Sequence, residues 1–180
     1  MQSTHLLNAP DKLEENPIAL PKKTASALAT RLDVLVSSLF VQFHLVQKHH
    51  WLVEGPQWHD LHLYLEESYK QIHEDLDAIA ERLTVLGGIP TSGPAAQQEK
   101  AVTQVEAEGY FRIRDGLELE LTNEQALIRY TRETIEEADK MGDYGTNHLL
   151  KGMLFKMEDR AHHLDHYISN DSLEDGRKQG

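Results

Sequence analysis

Lys48–Glu67 reads KHHWLVEGPQWHDLHLYLEE, with four histidines in twenty residues. Gly55-Pro56 divides it, ending one helix and allowing the next to begin. Upstream, Leu28, Leu32, Leu35, Leu39, Phe43 and Val46 step by three or four, the apolar face of an amphipathic helix. His50 is the next step on that row. Downstream, a helix from about His59 to Leu86 carries Ile72, Leu76, Ile79, Leu83 and Leu86 in register, and Gly87-Gly88 with Pro90 ends it.

The same period recurs twice more. Leu117, Leu121, Ile128, Thr131, Ile135 and Ala138 mark a helix from about Asp115 to Lys140. After Gly142-Asp143, Leu150, Leu154, Met157, Ala161, Leu164 and Ile168 mark a fourth. No strand-length alternation competes. The predicted fold is all-α, a four-helix bundle. Short turns make the first two and the last two helices antiparallel pairs. The long connection over 87–114, with one short helix in AAQQEKAV, crosses the bundle. This is the single-crossover connectivity of ferritin-like bundles. The bundle is expected over 24–168, with a flexible N-terminal tail at 1–23 and a C-terminal tail at 169–180.

With 180 residues, 39% of them hydrophobic, the chain is long enough for one cored domain. It has no cysteine, which excludes disulfides, thiolate metal sites and cysteine nucleophiles. No apolar run approaches the ~18 residues of a membrane span, and the N-terminus lacks the basic start and apolar stretch of a secretory signal. These features predict a cytoplasmic protein. The net charge of −12 argues against general binding to phosphate backbones and favours attraction of cations. The tails carry no basic arm. Lys12, Lys22 and Lys23 are offset by Asp11, Glu14 and Glu15, and Arg177 and Lys178 by Asp171, Glu174 and Asp175.

On the second helix His62, Glu66, Asp77 and Glu81 share one face. The pairs 62/66 and 77/81 each span one turn and can each converge on an ion. Fifteen residues at ~1.5 Å put His62 and Asp77 ~22 Å apart, so one straight helix cannot unite the pairs. They lie symmetrically about Gln71-Ile72, however. If the helix packed antiparallel on its own copy, His62 and Glu66 of one chain would face Glu81 and Asp77 of the other. His50 could approach the 62/66 end. Two imidazoles and three carboxylates suit Fe(II), Mn(II) or Zn(II). An ordinary solvated acidic face has the same spacing.

HHWLVEGPQWHDLHLYLEE followed by HEDLDAIAERLTVLGGIP resembles the Dps family, the mini-ferritins. The residues that carry the resemblance are His50-Trp51, Gly55, Trp58, His62, Asp77, Glu81-Arg82 and Gly87-Gly88. The resemblance implies a hollow dodecamer with a ferroxidase site at the two-fold interface. That site would oxidise Fe(II), preferably with hydrogen peroxide, and the shell would store ferric mineral. It places the iron ligands on His50, His62, Glu66, Asp77 and Glu81, with zinc possible at the same site. Glu66 departs from the family's usual Asp. No histidine here has Glu three residues before it, so the Glu-x-x-His pairs of sites inside one bundle are absent.

Further candidates follow. Glu67 and Glu74 lie beside the ligand face and could nucleate mineral, or simply be solvated acids. His162, His163 and His166 in DRAHHLDHY could form an extra metal site, although the family often has an aromatic at His162. Asp139, Asp143 and His148 fall where the family lines an entry pore, and Asp143 could equally cap the last helix. His73 suits an interface hydrogen bond; Trp51 and Trp58 suit core or interface packing. The expectation is a ferroxidase store with weak or absent DNA binding. The alternatives are a nucleoid-binding protein and a helical assembly with structural zinc at the dimer interface.

Overall fold

The computed structural model describes residues 5–10 and 12–169. Its order is α1 (Lys22–Leu52), α2 (Trp58–Val85), α3 (Pro94–Lys100), α4 (Ile113–Lys140) and α5 (Tyr144–Tyr167). Among the described residues there is no strand. The four long helices and the short crossover helix match the expected bundle, with ends displaced by one or two residues. α1 packs on α2, α4 on α5, and α1 on α4; α2 meets α5 more lightly.

The core is the set of stripes read from the sequence. Leu28, Leu32, Leu35 and Leu39 of α1, Ile72, Ile79 and Leu83 of α2, Leu127 of α4, and Leu150 and Met157 of α5 are fully buried. Such burial contributes about 1.5–3 kcal/mol per large apolar side chain. α1 is in fact long and apolar enough by composition to cross a membrane, contrary to the run-length reading; 61% of its apolar window is buried inside the bundle.

Side chains hold the crossover down. Ser38 Oγ accepts from the Val102 amide at 2.9 Å, and the Thr103 hydroxyl donates to the Ser38 carbonyl at 3.0 Å. Asn123 accepts from the Gln104 amide at 2.8 Å and donates to Gln42 at 3.0 Å. These contacts bury polar backbone without a helix to satisfy it.

Part of the expected N-terminal tail is packed instead. Leu13 and Leu20 lie against the core. The Glu14 amide donates to the Gly87 carbonyl at 2.9 Å. Gly87 has φ +89°, and a Cβ there would meet the Glu14 carbonyl oxygen at 2.4 Å. Glycine is thus required twice at this turn, by conformation and by close approach. The C-terminal tail from residue 170, with Arg177 and Lys178, lies outside the described residues, as does Asp11.

Candidate metal centre

His50 sits near the end of α1 and His62 in the second turn of α2, so the Gly55-Pro56 turn brings them together. Their rings stack, 3.9 Å between centroids and 24° between planes. His50 Nδ1 lies 2.9 Å from the His62 carbonyl, and His62 Nδ1 lies 3.0 Å from the His50 carbonyl. A carbonyl only accepts, so each Nδ1 must carry the proton. That leaves the Nε2 lone pair of both rings available to an ion, the tautomer a metal ligand needs. Trp58 stacks on His62 at 5.1 Å and Tyr69 meets His50 edge-on at 5.3 Å, fixing both rings from outside.

Glu66 follows one turn after His62. It is half-buried and paired with exposed Lys70. The Lys70 hydrogen bond, then its charge, holds the Glu66 carboxyl below the usual range, with smaller help from His50 and His62. Asp77 and Glu81 are exposed, and their carboxylates enter no ion pair among the described residues. α2 is one continuous helix of 28 residues, so the two halves stay at its opposite ends. Accordingly, no group of three or more ligating side chains within the described chain is arranged to hold a metal ion. The chain unites His50 and His62, with Glu66 near enough to feel their charge; it does not bring Asp77 and Glu81 to them.

The other sequence candidates are distributed as follows. Glu67 and Glu74 are exposed and, with Glu66, Lys70, Leu63 and Gln71, line a shallow groove of about 490 Å3 on α2. Asp139 and His148 are exposed. Asp143 is buried as the N-cap of α5: it accepts from the Thr146 amide at 3.0 Å and from Arg82 at 2.6 Å. Of its two readings, the cap is what the structure shows, and a carboxylate so engaged is not free to line a pore of this chain. His162, His163 and His166 are exposed at the end of α5. His73 is exposed and lies 5.3 Å from the Phe43 ring. Trp51 is 67% exposed, so it is no part of the chain's core; Trp58 is exposed on one face and covers His62 with the other.

Sequence reasoning missed two buried polar clusters. His49, 5% exposed, bonds through Nδ1 to Glu120, itself 1% exposed, at 2.5 Å, and faces Glu106 through Nε2 at 3.4 Å. Burial pulls the His49 pKa down, but the hydrogen bond and charge of Glu120, joined by Glu106, more than reverse it. Burial also raises Glu120, against the pull of His49. Gly116 makes room for this ring, because a Cβ there would lie 2.8 Å from His49. Gly116→Ala is expected to cost about 1–3 kcal/mol by overpacking, measured as a lower urea midpoint with unchanged slope. A midpoint equal to wild type would show that the ring has room to move. The adjacent His49-His50 was the available signal, since residues one apart cannot share a face.

The second cluster lies between α2, α4 and α5. Arg160 donates from Nε and Nη2 to the two oxygens of Glu124 at 2.8 and 3.2 Å, and from Nη1 to Gln71 at 2.6 Å. Lys156 pairs with buried Asp75 at 2.8 Å. The bundle centre, where a site inside one chain would be built, is therefore filled by a guanidinium already paired with the carboxylates.

The ferritin-like domain family matches residues 30–173. A "DNA protection during starvation protein" of Halobacterium salinarum is 39% identical over 79% of this chain and 78% of its own length. A "Nutrient stress-induced DNA-binding protein" of Synechococcus is 33% identical over 96% and 98%. The crystal structure of an archaeal Dps homologue from Halobacterium salinarum superposes with a TM-score of 0.91 at 33% identity, covering 96% of this chain and 97% of that one. The chain belongs to the Dps proteins of the ferritin-like family.

Proposed function

We propose that this protein is a ferroxidase store, which takes up Fe(II), oxidises it at sites shared between two copies of α2, and holds the ferric product inside a dodecameric shell. The observation that carries this reading is the pair of stacked imidazoles, both with Nδ1 committed to a backbone carbonyl and both with Nε2 free. A structural ion pair would leave no such aligned lone pairs. Glu66 adds a carboxylate beside them, and Asp77 and Glu81, without an ion pair among the described residues, wait at the other end of the same face for the matching half of a second chain.

Iron enters as substrate. Carboxylate and imidazole donors favour Fe(III) over Fe(II), which makes the bound ion easier to oxidise. With hydrogen peroxide, two Fe(II) give one electron each, the O–O bond breaks, and two protons complete two waters, so no hydroxyl radical is released. The chain orients the imidazoles, supplies negative charge and keeps Lys70 at hand to re-pair Glu66 when the ion departs. Zinc fits the same donors and would compete there. Glu67 and Glu74 are the proposed first surface for mineral, and Asp139 and His148 the proposed entry approach. The test is to add Fe(II) and then peroxide to the metal-free assembly. Ferric cores that stay with the protein through gel filtration are expected, at about two Fe(II) consumed per peroxide; ferric precipitate with bare protein in the column fraction would refute storage.

DNA binding is a second reading, favoured by the names of the relatives. Against it stands the net charge of −12. Counterion release needs clustered Lys and Arg, so retention of duplex DNA is expected to be weak or absent at ~150 mM salt. A sharp retarded band at that salt and submicromolar protein would reverse this expectation.

A further inference from the structure

α5 ends in Asp159-Arg160-Ala161-His162-His163-Leu164-Asp165-His166-Tyr167. Arg160 and Leu164 are buried and fix the inward side of this segment, so His162, His163 and His166 stand exposed. They do not form one undivided patch. His163 is drawn toward the bundle: its ring meets Tyr64 edge-on at 5.9 Å, and its Nδ1 lies 3.9 Å from Asp159. His162 and His166 lie one turn apart on the solvent side, ring centroids 4.1 Å apart and planes at 58°. Neither imidazole enters a hydrogen bond or an ion pair among the described residues.

From this geometry we infer that His162 and His166 form a second divalent-cation site, a two-imidazole chelate on α5 separate from the α2 face. Two histidines four apart on one helix face are the spacing with which a helix grips a transition-metal ion. Rings already this close need only χ rotations to aim one nitrogen each at an ion ~2.0–2.1 Å away. Imidazole donors select Zn(II), Ni(II), Cu(II) or Co(II) and discriminate against Mg(II) and Ca(II). No third side chain of the described chain joins them, so water completes the shell and the ion exchanges readily. Asp159 lies 3.9 Å from His163 and no contact joins it to His162 or His166 among the described residues, so that pair is not counted among the ligands. The inference stands apart from the ferroxidase reading, because it uses no residue of α2.

Ni(II) is the probe. The full-length assembly carrying His62→Ala, Glu66→Ala, Asp77→Ala and Glu81→Ala, which leaves at most the single imidazole of His50 at the α2 face, is stripped of metal and titrated calorimetrically. Adding His162→Gln and His166→Gln is expected to weaken Ni(II) binding on the order of ten-fold or more and remove one ion per chain. Adding His163→Gln instead is expected to leave it unchanged. With Cu(II), the nitrogen hyperfine pattern should report two imidazoles and lose them in the first variant alone. All three positions are exposed, so equal thermal melts are expected and serve as the folding control. Ni(II) binding untouched by the His162/His166 replacements would overturn the site. So would equal loss with His163→Gln, which would place the ion elsewhere in the cluster.

Discussion

Replacing Asp77 and Glu81 together by Ala is expected to slow peroxide-driven Fe(II) oxidation by about 100-fold or more, the cost of losing direct ligands rather than the supporting shell. Stability of the chain should hardly change, because both carboxylates are exposed and enter no ion pair among the described residues. The same loss of oxidation rate is expected for His62→Ala with Glu66→Ala. Neither result alone shows where the halves meet. Mixing does. If each site takes His62 and Glu66 from one chain and Asp77 and Glu81 from its mate, a mixed dimer of the two double variants has one intact site and one with no ligand from α2. Random reassembly of equal amounts should then restore about a quarter of wild-type activity, since half the dimers are mixed and each has half its sites. Two inactive parents that stay inactive after unfolding and co-assembly would sink the shared-site reading, even if iron is still oxidised by the wild type.

The largest expected effect on stability is at Arg160. Arg160→Met strands Glu124, which is 1% exposed, without its two hydrogen bonds and counter-charge. Removing one partner of a buried pair costs about 3–5 kcal/mol. For a chain of this size that lowers the melting temperature on the order of 10 °C. Gln71 also loses its 2.6 Å partner. Arg160→Lys keeps a charge but cannot reproduce the fork, and should fall between. Adding Glu124→Gln to Arg160→Met should recover much of the loss, because the uncompensated charge is then gone. Calorimetry on wild type, Arg160→Met, Glu124→Gln and the double variant closes the cycle. If the double variant melts no higher than Arg160→Met, the cost comes from lost packing of the long side chain and not from the stranded carboxylate.

How much of this was written in the chain differs between the fold and the site. The apolar stripes of all four long helices, the Gly55-Pro56 and Gly87-Gly88 stops and the crossover helix were legible, because helical period and turn chemistry are local properties. The shared face of His62, Glu66, Asp77 and Glu81 on α2 was legible for the same reason: one helix face is a matter of spacing. For Trp51 the choice between core and interface was not legible, because one apolar ring is consistent with either until its neighbours are placed; 67% exposed, it lies outside the core. The packed stretch around Leu13 and Leu20 was misjudged, since it has no periodicity and is held by contacts to distant residues such as Gly87.

Thus the sequence alone determined a bundle of four helices with a divided set of histidines and carboxylates on the second. Only the tertiary structure decided that Nδ1 of His50 and His62 each bond the other's carbonyl, that Asp143 caps α5 and holds Arg82, and that Arg160 neutralises Glu124 at the bundle centre. Apart from the cap itself, which spans three residues, those are partnerships between groups 12 to 61 residues apart. Spacing along one helix cannot specify them, because the rotation and depth at which two helices pack select which polar groups meet.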